Sequence, residues 1–129
     1  MAYDELTAER MRSALAGRRD VAETRLMGGV CFMVNGNMCC TVSARGGILV
    51  RVGPTGYERA LAQPHAQPME MRGRAAVGFV RVMPDGYRTD AALKKWIQRG
   101  LDFATTLPAK AARGRSSRKA TARKRRQGK

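Results

Sequence analysis

Histidine occurs once in this chain, at position 65, and cysteine three times, at Cys31, Cys39 and Cys40. An odd cysteine count does not suit a disulfide framework, and no C-x-x-C spacing is present. A zinc site takes about four N or S ligands, and His65 is distant in sequence from all three thiols. No metal and no cofactor are therefore expected. No apolar run approaches the roughly 18–20 residues of a membrane span. The acidic start Met1-Ala2-Tyr3-Asp4-Glu5 lacks the apolar stretch of a signal peptide. These absences predict a cytoplasmic protein with reduced thiols and no membrane partner. Catalytic patterns are missing as well. Met27-Gly28-Gly29-Val30 and Gly53-Pro54-Thr55-Gly56 have neither a Walker lysine nor G-x-G-x-x-G spacing. His65 sits between Pro64 and Pro68 with no nucleophile pattern beside it, and no two carboxylates are arranged for acid–base work. The expectation is a protein that is not an enzyme and has no catalytic residue.

Positive charge is present in excess, and its placement is uneven. The net charge is +15, from 25 Lys and Arg against 10 Asp and Glu. Residues 109–129 hold ten of those cations and no acid, so residues 1–108 carry fifteen against ten. A length of 129 residues suits one folded unit with a core and is too short for two. The division is therefore a mildly basic domain over 1–108 and a polycationic tail over 109–129, which buries nothing, repels itself and is predicted to be disordered alone.

Within 1–108 the apolar spacing predicts a helix over 4–16, with Leu6, Met11 and Leu15 on one stripe and Gly17 at its end. A sheet is expected to begin near Glu23. The strongest local signal is Asn35-Gly36 between 30–34 and 37–42, a type I′ hairpin because both turn residues need positive φ. That turn sets Val34 opposite Asn37, Met33 opposite Met38, Phe32 opposite Cys39 and Cys31 opposite Cys40. The last pair would lie at a non-hydrogen-bonded position, within disulfide reach, although packing is the commoner role of buried cysteine. A strand over 47–52 follows, with Ile48, Val50 and Val52 on one face. Pro54 is expected to end it and Thr55 to cap a short helix over 56–62. The prolines make 63–68 read as a loop, followed by strands over 69–72 and 77–83. Thr89 caps a last helix running to about Thr106, with Trp96 on its apolar side. The resulting fold is α+β and two-layered, an antiparallel sheet covered by helices in the order α-β-β-β-α-β-β-α.

Several of these segments, taken in order, resemble a known family. Met27-Gly28-Gly29, the run from Phe32 to Met38, Leu49-Val50-Arg51-Val52-Gly53, the helix holding Tyr57, the Pro-His-Pro-Met loop and a final helix with Trp96 are similar to the TfoX N-terminal domain, found in TfoX (Sxy) regulators of natural competence in bacteria. The resemblance spans about residues 3–108 and implies a sheet covered by helices on one side, with no catalytic residues to carry over. Two-domain regulators of the family have a second C-terminal domain; in this chain a basic stretch stands in that place.

The leading functional expectation is a regulatory binding protein whose tail meets nucleic acid nonspecifically, through Arg113, Arg115, Arg118, Lys119, Arg123, Lys124, Arg125 and Arg126. Neutralising about eight phosphates would lower affinity by roughly four orders of magnitude between 50 and 200 mM salt. No aromatic is interleaved for base stacking, and no recognition helix is evident. A hairpin apolar on both faces, with Cys31, Met33, Met38 and Cys40 on one and Phe32, Val34 and Cys39 on the other, is compatible with a homodimer through the face that helices leave bare. The alternative is therefore a protein-interaction module without a nucleic-acid role. A third reading is a small-molecule-binding domain, in which Arg51, Arg72, Arg74 and Arg81 gather on the sheet around an anion.

Overall fold

The Asn35-Gly36 turn organises the centre of the fold. In the computed structural model, which describes residues 3–26 and 28–109, these two residues have φ of 52° and 82°, as a type I′ turn requires. Strands β2 (Gly29–Val34) and β3 (Asn37–Val42) leave the turn antiparallel. With β1 (Val21–Leu26), β4 (Ile48–Arg51), β5 (Ala66–Met71) and β6 (Arg74–Val82) they form one six-stranded sheet in the order β1-β2-β3-β4-β6-β5, antiparallel throughout. Helices α1 (Glu5–Leu15), α2 (Gly53–Leu61) and α3 (Asp90–Ala104) complete it. The α+β class and the order of elements are as expected, and the run anticipated near Glu23 becomes a full edge strand, β1.

The helices contribute to a single core on one face of the sheet. Helix α3 lies against β3 and β4, α2 against β6 and β5, and α1 against α3. Phe32, Val34, Ile48, Val50, Val80 and Val82 from the strands meet Met11, Leu93, Trp96 and Ile97 from the helices. Thr89 caps α3 as its position predicts, its hydroxyl accepting from the Ala92 amide at 3.0 Å. Gly100 lets α3 approach β3 closely, since a Cβ there would lie 2.8 Å from the Cys39 carbonyl oxygen.

Three local expectations are corrected. Met33 pairs with Met38 and Val34 with Asn37, but beyond them the register shifts: Phe32 pairs with Cys40 and Cys31 with Thr41. Cys39 is the extra residue of a β-bulge, where two residues oppose one. Cys39 and Cys40 both join the helix-side core, whereas Cys31 lies outside it. Cys31 and Cys40 therefore do not face each other, and all three thiols are free and buried. Secondly, 63–68 is not wholly a loop. β5 begins at Ala66 and includes Pro68, with a register shift between Pro68 and Glu70. The strand is an edge of the sheet, which tolerates a residue without an N–H. Thirdly, α2 starts at Gly53 with Pro54 inside its first turn and no side-chain cap, so Thr55 is not a cap. Proline suits the first turn because its missing N–H would have no helical partner there.

Candidate functional site

The sheet face away from the helices is concave. A flat sheet of six strands would hold its outer strands about 24 Å apart, yet Leu26 of β1 and Met71 of β5 line the same cleft. Three irregularities account for the bending: the bulge at Cys39, the register shift beside Met69, and Gly78 within β6, at a φ of 96°. Bulges and strand glycines both bend and twist a sheet. The cleft has a volume of about 510 Å³, within the roughly 300–1,000 Å³ typical of small-ligand sites. Its apolar wall comes from Met38, Leu49, Met69 and Phe79, with Leu26 and Met71 at the rim. These last two are 42% and 47% exposed, among the few large apolar side chains left open to solvent.

Polar groups enter this apolar surface at a few points. Thr41 lies on the cleft wall, and its Oγ1 is buried without a hydrogen-bond partner among the described residues. Leaving such a group unsatisfied costs about 1–3 kcal/mol. Its cross-strand neighbour is Cys31. Burial pushes the Cys31 thiol up to about 11, so the thiol stays protonated and unreactive near neutral pH. Arg81 leans over the cleft and donates from Nη1 to the Gly46 carbonyl at 2.7 Å and to Ser43 Oγ at 3.1 Å. Burial, and then the charge of Arg45, push Arg81 below the ordinary guanidinium value. Arg45, Arg72 and Glu70 also border the cleft. Among the described residues none of these four forms a salt bridge.

The arginines anticipated on the sheet are divided by the fold. Arg72 and Arg81 reach the cleft, while Arg74 is not part of its lining. Arg51 instead stacks over Phe79 and Phe103, with 5.7 and 5.2 Å from its guanidinium carbon to the ring centroids. Arg45 was not anticipated, because only the approach of the β3–β4 turn to β6 brings it beside Arg81. Thr41 and Met69 were missed for a similar reason, since a bulge decides which way each neighbourhood faces. His65 lies on a turn with positive φ, and no group of three His, Cys, Asp or Glu able to hold a metal occurs among the described residues. The tail residues Arg113, Arg115, Arg118, Lys119, Arg123, Lys124, Arg125 and Arg126 lie outside the described residues.

Comparison with protein families gives one match: the model of the TfoX N-terminal domain aligns with residues 13–104. The chain belongs to the TfoX N-terminal domain family. Membership supports a regulatory, competence-related role at most, and the family is not a known enzyme family. No curated protein and no solved structure matches the chain. The TfoX N-terminal match covers strands β1 to β6, helices α2 and α3 and only the end of α1, so the concave face lies wholly within it. No helix among the described residues is long and apolar enough to cross a membrane.

Proposed function

We propose that this TfoX N-terminal domain protein is a non-enzymatic regulatory binding protein that contacts nucleic acid through residues 109–129 without reading sequence. The observation that carries the reading is the charge division: ten Lys and Arg and no acid in those 21 residues. Such a stretch gains affinity by releasing the counterions condensed on a polyanion, a term indifferent to base sequence. One contact supports a fixed origin for it. The side-chain amide of Asn37, a buried residue, donates to the Pro108 carbonyl at 3.0 Å, which pins the chain against the β2–β3 turn just before the basic stretch begins.

The test is fluorescence anisotropy with labelled duplex DNA at several salt concentrations. It compares the full chain with a full-length variant in which Arg113, Arg115, Arg118, Lys119, Arg123, Lys124, Arg125 and Arg126 are all Gln. Binding should weaken by roughly four orders of magnitude between 50 and 200 mM salt, if about eight phosphates are neutralised, and should vanish in the Gln variant. Binding retained by that variant would place recognition in the folded body. No binding by either protein, even at low salt, would leave a protein-interaction module as the reading.

A further inference from the structure

We infer that the concave face of the sheet is a binding site for a free, small amphipathic anion, a medium-chain carboxylate being the simplest case, with its chain on Leu49, Met69 and Phe79 and its head group at Arg81 and Arg45. The inference is independent of the basic tail.

Three observations converge on this class of ligand. The cleft is mostly apolar and large enough for a small ligand, so the greater part of what it takes must be hydrocarbon. Its cationic border is Arg45, Arg72 and Arg81 against the single carboxylate of Glu70, and among the described residues no salt bridge neutralises any of them. Arg81 is already oriented, held by Ser43 and the Gly46 carbonyl, so ordering it costs little on binding. A carboxylate or similar group there would make the charge-assisted hydrogen bonds that guanidinium forms best.

Charge argues against the other occupants. A second copy docked by two-fold symmetry through this face would bring the border that holds Arg45, Arg72 and Arg81 against the same cationic face of its partner, and like charges brought together in an interface are strongly disfavoured. The chain's own residues 109–129 are cationic and are repelled by the same border.

The experiment is isothermal titration of the full chain with decanoate, octanoate and decylamine, and with vesicles of phosphatidylglycerol. The tail is itself an anion attractor, so the titration is repeated on the full-length variant with its eight tail cations changed to Gln. One decanoate should bind per chain, equally in both proteins. Octanoate should bind about tenfold more weakly, since each methylene buried contributes up to about fourfold, and decylamine should not bind. Arg81→Met should weaken decanoate about tenfold. The double substitution Leu26→Glu and Met71→Glu, at two exposed rim positions, should weaken it at least as much without touching the core, whereas Leu6→Glu, on exposed α1 surface, should change nothing. The inference is overturned if decanoate does not bind at millimolar concentration, if binding disappears with the tail cations, if octanoate and decanoate bind alike, or if the rim substitutions have no effect. Binding to the vesicles but not to free decanoate would also overturn it, in favour of a membrane surface.

Discussion

On one side of the sheet Phe32, Val50 and Val80 are closed over by three helices; on the other, Thr41, Leu49 and Met69 are buried by the sheet itself, as it curls until strands from both edges border the same space. The first side is packed so closely that Gly100 has no room for a methyl group beside Cys39. Among the described residues the second leaves a cavity, a buried hydroxyl without a partner and arginines without a salt bridge. Both faces bury apolar side chains, but only the helix side packs them closely. The concave side gives up packing and hydrogen bonding at a few points, the pattern expected where a surface is kept for a ligand.

This contrast can be broken by measurement. The largest effect should come from Phe32→Ala, which empties the middle of the helix-side core and should cost about 3–5 kcal/mol in urea unfolding. Leu49→Ala, beside a cavity that already exists, should cost about 2 kcal/mol or less. Equal losses for the two would show that the concave face is packed as tightly as the other. Next, Gly100→Ala should destabilise by about 1–3 kcal/mol, because α3 or β3 must give way. Thr41→Val should go the other way and stabilise by about 1 kcal/mol, removing a buried hydroxyl that has no partner. A loss of stability there would mean that the hydroxyl is satisfied in solution.

The smallest effect near neutral pH is electrostatic and appears only in alkali. The Cys31 thiol is raised from about 9 in the unfolded chain to about 11 in the fold. The contribution of its protonated form is complete below the unfolded value and is lost as pH rises through the folded one. Stability should therefore decline between pH 9 and 11, and the decline should be shallower by about 2 kcal/mol in Cys31→Ala. Tyr87, also raised by burial, and Cys40, raised by its contact with Cys39 and by burial, should keep part of the slope.

Elements with a local cause were legible in advance. Asn35-Gly36, the Thr89 cap and the apolar stripe of α3 each depend on a few neighbouring residues, and each lies where the spacing puts it, whereas on α1 Met11 and Leu15 are buried but Leu6 is exposed. What was not legible depends on one added residue. The bulge at Cys39 reverses the alternation downstream of it and separates Cys31 from Cys40, and nothing in Met38-Cys39-Cys40-Thr41 distinguishes a bulged strand from a regular one. The prolines of 63–68 point to a loop because edge status, which makes Pro68 acceptable in a strand, is a property of the whole sheet. The site was harder still. Arg72 and Arg81 were among the residues suspected, but Arg45 and Thr41 join them only through curvature, which no short pattern encodes.

The same Pro68 has a consequence for how copies of the chain can meet. Strands at the two margins of an open sheet can each accept another strand through unused backbone groups. At the β5 margin, Pro68 has no N–H to offer, and the adjacent irregularity breaks the spacing that a new strand would need. The β1 margin carries no such block. Among the described residues margin pairing is thus open on one side only, an arrangement that favours a closed pair over a fibre.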